Sequence, residues 1–212
     1  MGPGMALMRA VLPVVAVLAA GFLAACGNLP SLPAAMGRVQ QANLDSVPRD
    51  KLQAFGSPIM RATIPGLGID VLVSPRESKG DIVTWEAADG YTFTFRGGVL
   101  IETRGLGPDL MSASVPAAGQ IASGAVTRRS YFYTWENDAN QRRDYSCTSA
   151  TQGAETLTVY GRSHSTRHIV ESCQRDGGRL TNDYWFEGGS IRKSKQWISP
   201  LAGPGIFVRI ID

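Results

Sequence analysis

Short runs of alternating apolar and polar residues fill the chain from residue 57 to its end. In YTFTF, residues 91–95, the three aromatic side chains share one face and the two threonines share the other, as the period of two in a β-strand requires. Turn-forming residues separate about a dozen such runs, and a helical period is rare. The pattern predicts an all-β protein in which hairpin connections make the pairing antiparallel.

A sheet with this many strands must curl or close, because its edges otherwise stay open to other chains. We predict a single domain over residues 57–212, built as a large antiparallel meander that closes or curls into a barrel or half-barrel. Its predicted connections include PRESKG at residues 75–80 and ATQGAET at residues 150–156.

The N-terminal region carries one charged residue, Arg9, ahead of an apolar stretch over residues 10–24. A transmembrane helix needs about 20 predominantly apolar residues, whereas this stretch is shorter and contains Pro13. A basic residue followed by a short apolar stretch is typical of a secretory signal peptide, which we place at residues 1–25.

The sequence LAAC at residues 23–26 resembles the bacterial lipobox. The resemblance implies that Cys26 is lipidated and becomes the first residue of a lipid-anchored protein, since several acyl chains together hold a protein firmly on a membrane. Gly27 follows in place of the aspartate that signals inner-membrane retention in many Gram-negative bacteria. This favours the outer membrane, with the protein facing the periplasm. The alternative is an ordinary signal peptide with an incidental cysteine.

Residues 26–56 separate the predicted anchor from the predicted sheet. They begin with the Pro- and Ala-rich stretch NLPSLPAA, which is typical of a tether. A modest helical pattern follows over residues 35–55, and this part is equally compatible with a tether and with a packed helix.

Two cysteines remain once Cys26 carries lipid, and both lie in predicted strands. In an oxidising compartment we expect Cys147 and Cys173 to pair, which stabilises the fold by about 3.5 kcal/mol in the chain-entropy description. The alternative is two buried free thiols. No Cys-x-x-Cys or Cys/His grouping with zinc spacing occurs in the sequence, so we predict neither a metal site nor a cofactor.

The net charge of the chain is small. The 21 basic and 18 acidic residues give +3, and loss of Arg9 with the signal peptide leaves +2. A protein that binds nucleic acid shows a concentrated basic face, so we predict no nucleic-acid partner.

One segment interrupts the alternation near the middle of the chain, ETRGLGPDLMSASVP at residues 102–116. Gly105 and Gly107 allow positive φ angles, and Arg104 and Asp109 are close enough in sequence to meet across a turn. Two interpretations remain open. The segment is either a structural corner or a binding loop whose amides and Arg104 grip an anionic sugar or phosphate.

The segments TW at residues 84–85, DG at residues 89–90 and GVLIETRGLGPDLMSA at residues 98–113 resemble the YjbF/GfcB lipoproteins of exopolysaccharide and group 4 capsule operons. The resemblance implies a large antiparallel β structure and a periplasm-facing outer-membrane lipoprotein needed for production or secretion of a surface polysaccharide. Its partners would be exopolysaccharide export proteins or the polysaccharide itself. The motif makes candidate ligand-binding residues of Trp85, Arg104, Gly105, Gly107 and Asp109.

Few residues carry a catalytic pattern. The only histidines, His164 and His168, are predicted in a loop and a strand, without a Gly-x-Ser-x-Gly elbow or a recognised carboxylate partner. Carboxylates such as Glu86, Glu102 and Glu136 could be paired by folding, as a glycosidase requires, but any β protein has such acids. We therefore predict a non-catalytic protein, and a glycan-modifying enzyme is the weaker alternative.

Aromatic residues suit a binding protein better than an enzyme. Tyr131, Tyr133 and Trp135 alternate onto one face of a strand, where they form either part of the core or a platform for sugar rings. A further alternative is a periplasmic carrier whose curved sheet encloses an apolar ligand, which requires an interior too wide for side chains to fill.

Overall fold

The computed structural model describes residues 43–134 and 140–212, and Cys26 with the predicted signal peptide lies outside them. In this part of the chain, twelve strands form one antiparallel sheet. The strands are β1 (Ile59–Ile64), β2 (Ile69–Lys79), β3 (Ile82–Ala87), β4 (Thr92–Arg96), β5 (Val99–Arg104), β6 (Ser112–Ser114), β7 (Thr127–Thr134), β8 (Asn140–Val159), β9 (Arg162–Arg175), β10 (Gly178–Glu187), β11 (Ser190–Ser199) and β12 (Gly203–Ile211).

The sheet is a meander that returns on itself. The strand order is β5-β4-β3-β2-β1-β12-β11-β10-β9-β8-β7-β6, so the last strand pairs with the first, and β5 and β6 are the two edges. These edges are consecutive in the chain and lie next to each other, so the barrel is nearly closed. The predicted all-β fold, a large antiparallel meander curled into a barrel, is confirmed.

Large apolar and aromatic side chains fill the barrel. Phe93 and Phe95 each meet the ring of Phe207 edge to face, at centroid distances of 5.4 and 5.0 Å, which is a favoured geometry for buried aromatic pairs. Tyr131 and Tyr133 are only 1% and 2% exposed, so both belong to the core. Trp135, the third residue of that predicted face, lies outside the described residues.

Short elements at residues 44–53 pack beside the sheet. A 3-10 turn at Leu44–Ser46 precedes helix α1 (Arg49–Gln53). Leu52 of this helix is 1% exposed and belongs to a second apolar cluster together with Ile59 and Ile210. The hydroxyl of Tyr160 donates a hydrogen bond of 2.8 Å to the Leu44 carbonyl, which fixes this end of the segment on the β8–β9 turn.

A second short helix, α2 (Ala118–Ala122), follows β6. Its Ile121 is fully buried in a third apolar cluster whose other members include Val99, Ile169 and Phe186. No helix within residues 43–134 or 140–212 is long and apolar enough to cross a membrane.

Two predicted connections are wrong, because both lie inside long strands. Most of PRESKG belongs to β2, and ATQGAET lies entirely within β8. The pairing shifts register between Pro75 and Glu77, and again between Thr151 and Gly153. An extra residue in a β-bulge bends a strand without ending it, so turn-forming residues at these points mark a bulge.

Candidate functional site

The segment at residues 105–111 joins the two edges of the sheet, and we call it the closing segment. The Thr103 amide donates to the Leu110 carbonyl at 2.9 Å, and the Met111 amide donates to the Phe132 carbonyl at 3.0 Å. The end of the closing segment therefore lies between β5 and β7 and supplies hydrogen bonds to both. The barrel closes at the sequence motif.

Asp109 organises the closing segment from within. Its carboxylate accepts hydrogen bonds from the Thr103 hydroxyl at 2.7 Å and from the amides of Gly105 and Leu106 at 3.1 and 3.3 Å. The Thr103 hydroxyl in turn accepts from the Leu110 amide at 2.9 Å. Hydrogen bonds to a carboxylate are among the stronger ones in proteins, so Asp109 and Thr103 hold both ends of the turn.

Both glycines of the closing segment have the positive φ angles that the sequence predicts, 89° at Gly105 and 85° at Gly107. Side chains other than glycine rarely adopt these angles. A Cβ atom at Gly105 would also lie 3.4 Å from the ring of Tyr91. The backbone conformation thus explains why glycine occupies both positions.

Arg104 does not pair with Asp109. Its guanidinium forms an ion pair of 2.7 Å with Glu102 and donates to the carbonyls of Thr103 and Met111 at 2.8 and 3.1 Å. The Arg104 side chain is 43% exposed. Glu102 lies two residues earlier on the same strand, hence on the same face, and it takes the position that we predicted for Asp109.

These contacts favour the structural corner over the binding loop. A binding loop needs free amides, but those of Gly105 and Leu106 already donate to Asp109. The Pro108 carbonyl is also used, because it accepts a hydrogen bond of 2.6 Å from the buried hydroxyl of Ser199. These polar groups of the closing segment therefore form hydrogen bonds that hold the fold together.

A buried ion pair inside the barrel joins two strands near the edge strand β6. Arg129 on β7 and Glu171 on β9 are 1% and 0% exposed, and they approach to 2.8 Å. Asn182 donates to the same carboxylate at 2.8 Å, and Arg129 donates to the Tyr184 hydroxyl at 2.7 Å. Burial raises the pKa of Tyr184 well above its ordinary value, so its hydroxyl stays protonated.

This polar network reaches edge strand β5. The Tyr184 hydroxyl donates to the side-chain oxygen of Gln196 at 3.3 Å, and the Leu100 amide donates to the same oxygen at 2.9 Å. Gln196 also donates to the Gly98 carbonyl at 3.0 Å. A side chain of β11 thus satisfies backbone groups of an unpaired edge from inside the barrel. Sequence analysis missed the network, although Arg129 shares its strand face with Tyr131 and Tyr133, which was an available signal.

The predicted disulfide is confirmed. Cys147 and Cys173 are directly opposite on β8 and β9, and they are bonded, with their Cα atoms 4.0 Å apart. Their sulfurs lie within 4.8 Å of the Glu171 carboxylate, the one grouping of potential metal ligands in the described part of the chain. The disulfide uses both sulfurs, so this grouping is structural.

Both histidines lie on β9, so the predicted loop position is wrong for His164. Each has a carboxylate neighbour that the sequence did not reveal. His164 Nδ1 lies 3.0 Å from Glu187, and His168 Nε2 lies 2.9 Å from Asp183. The His168 ring stacks on Trp185 at 4.3 Å. These partners come from the neighbouring strand β10, which spacing along one strand cannot predict.

Other predicted site residues lie apart. Trp85 is 7% exposed and lines a pocket of about 300 Å³ formed with three hairpin turns, those of β2–β3, β4–β5 and β10–β11. The closing segment follows the opposite end of β5, where Arg104 is level with Thr92. Glu86 pairs with Arg76 at 3.0 Å, and Glu136 lies outside the described residues. Trp85 is level with Phe93 on β4 and, through it, with Thr103 on β5. Its side chain lines the pocket, whereas Arg104, Gly105, Gly107 and Asp109 belong to the end of β5 and the closing segment.

A family model described as group 4 capsule polysaccharide lipoprotein gfcB, YjbF matches residues 35–205. The chain belongs to this family. A solved structure with the same fold is that of the hypothetical lipoprotein YmcC from Escherichia coli (K12), with 18% sequence identity and a TM-score of 0.70. That similarity covers 78% of this chain and 89% of the YmcC chain. No curated protein matches the chain.

Membership in the YjbF family confirms the resemblance carried by the segments at residues 84–113. It makes the chain a lipoprotein of a family tied to capsule polysaccharide. At 18% identity, the similarity to YmcC shows the fold alone.

Proposed function

We propose that this YjbF-family protein is a non-catalytic lipoprotein that supports production or secretion of a capsule or exopolysaccharide. In this proposal it is anchored through Cys26 in the outer membrane, faces the periplasm, and acts by binding export proteins or the polysaccharide. The family match over residues 35–205 is the observation that carries the proposal.

The polar groups of the described domain support a binding role over a catalytic one. The closing segment, which holds the family-like motif, uses the amides of Gly105 and Leu106 and the carboxylate of Asp109 in hydrogen bonds within the turn. The most deeply buried charges, Arg129 and Glu171, neutralise each other. An enzyme holds its reactive groups where a substrate can reach them, whereas these groups lie in the core or the turn.

The barrel interior gives little support to the apolar carrier. A carrier needs an interior that its own side chains leave empty. Here Phe93, Leu100, Tyr131 and Tyr184 are each at most 1% exposed inside the sheet, and a charged pair lies among them.

Replacing Cys26 by serine tests the anchor and the proposed function together. In a strain that lacks the native gene, the wild-type chain should restore surface polysaccharide and fractionate with the outer membrane. Cys26→Ser should stay soluble or unprocessed, because serine has no thiol to take the lipid, and surface polysaccharide should fall toward the level of the deletion strain.

Gly27→Ser is the matched control, since it keeps Cys26 and a small residue beside it. We expect it to behave as wild type in both membrane fractionation and polysaccharide assays. Outer-membrane fractionation of Cys26→Ser would contradict the anchor. Normal surface polysaccharide in the deletion strain would contradict the proposed function.

A further inference from the structure

The pocket next to Trp85 combines an aromatic floor with a polar rim. Its floor includes Trp85, Phe95 and Phe207, which are at most 7% exposed. Asp81 and Ser190 are exposed and line the pocket from hairpin turns. Its volume of about 300 Å³ is at the lower end of the range for small-ligand sites, about 300 to 1,000 Å³.

Several polar groups around this pocket have no partner within the described chain. The buried Nε of Arg209 has none, and the Trp85 indole N–H has none among residues 43–134 and 140–212. The Ser190 hydroxyl and the Asp81 carboxylate are likewise unpaired in this part of the chain. Of these four groups, the Arg209 Nε is the buried one, and a buried donor without a partner is costly. An oxygen-bearing ligand that accepts a hydrogen bond from it would satisfy a need that the fold leaves open.

A second arginine of the pocket, Arg192, has close acidic partners. Arg192 also lines the pocket, but it is held by Glu187 at 2.7 Å and by Asp212 at 2.8 Å. Among the described residues, the Arg209 guanidinium has one ion pair, a longer contact of 3.4 Å with Asp212. Carboxylates neutralise the positive charges of both arginines, and Asp81 adds a negative charge. The pocket therefore does not attract anions strongly. Its unpaired groups in the described chain are two N–H donors, a hydroxyl that both donates and accepts, and a carboxylate acceptor.

We propose that this pocket binds a single pyranose residue. The apolar floor suits the C–H groups of a sugar ring, and sugar hydroxyls both donate and accept, as the two N–H donors, the hydroxyl and the carboxylate around it require. The small volume fits one ring better than a chain. This inference rests on the proposed function, since it identifies the part of the polysaccharide that the protein would contact.

Binding of methyl glucoside, methyl galactoside, methyl N-acetylglucosaminide and sodium glucuronate to the detergent-purified full chain tests the proposal. Saturation-transfer NMR and tryptophan fluorescence report the binding. At least one probe should bind, with a dissociation constant in the millimolar range. Ser190→Phe should weaken binding about tenfold or more by filling the rim of a pocket this small. Ser165→Phe, at an exposed strand serine that does not line the pocket, should leave it unchanged.

Trp85→Phe keeps an aromatic ring and removes the N–H, so it should weaken binding by about threefold to tenfold, the loss of one hydrogen bond. The proposal is overturned if none of the four probes binds, or if Ser190→Phe binds as wild type does. Either result leaves the proposed function standing when wild-type protein still restores surface polysaccharide in the deletion strain. Failure of that rescue counts against the function itself.

Discussion

Glu171→Ala is expected to lower the free energy of unfolding by about 3 to 5 kcal/mol, because it leaves the Arg129 guanidinium buried without its partner. Arg129 is 1% exposed and Glu171 is 0% exposed, so water cannot replace the lost carboxylate. In a domain of this size the loss corresponds to a fall in melting temperature of about 6 to 20 °C. Urea unfolding and thermal melts of the purified variant measure both quantities.

The double variant Arg129→Met with Glu171→Leu separates the ion pair from simple loss of packing. Replacing both charges by apolar side chains of similar size should recover most of the stability lost by Glu171→Ala. Glu86→Ala is the surface control, since Glu86 pairs with a 60% exposed Arg76, and such pairs contribute less than about 1 kcal/mol. A Glu171→Ala variant as stable as Glu86→Ala would contradict the buried network.

Loss of the disulfide should lower the free energy of unfolding by about 3.5 kcal/mol, because the unfolded chain regains the freedom of a closed loop. The bonded cysteines are 26 residues apart. The double variant Cys147→Ser with Cys173→Ser should unfold at lower urea than wild type, and a reducing agent should bring wild type to the same midpoint.

The double variant itself should not respond to the reducing agent, which provides the internal control. Two free thiols in wild-type protein isolated from cells, measured by mass spectrometry, would contradict the account. So would equal unfolding midpoints for oxidised and reduced wild type.

The sequence predicts the sheet better than its details. Alternation in runs such as YTFTF depends on the two faces of a strand, so it survives in the fold. The length of β8 did not follow from the sequence, because Gly153 looks like a turn residue and instead follows a bulge with a φ angle of 141°. Local sequence does not show whether a glycine lies in a turn or next to a bulge.

The side-chain partners were the hardest part to predict. Arg104 has two acidic neighbours in sequence, Glu102 and Asp109, and only the strand geometry selects Glu102. Arg129 forms its ion pair with Glu171, which lies 42 residues later in the chain. Such long-range pairs depend on strand order, which alternation does not contain, whereas the cysteines could be paired because only two were left.

The central claim of this account is that the motif at residues 105–111 closes the barrel and does not grip a ligand. Arg104→Ala and Asp109→Ala distinguish the two roles. Asp109 accepts three hydrogen bonds within the turn, so its loss should destabilise the protein by about 2 to 3 kcal/mol. Replacing the half-exposed Arg104 by alanine should lower the free energy of unfolding by about 1 kcal/mol.

The most direct measurement is surface polysaccharide in the deletion strain carrying Arg104→Ala, with the amount of variant protein in the membrane determined in the same cells. The account predicts polysaccharide at the wild-type level, because the contacts of the Arg104 side chain within residues 43–134 and 140–212 are with the turn and with Glu102. Loss of surface polysaccharide at an unchanged amount of folded protein in the membrane would contradict it and make the closing segment a binding loop.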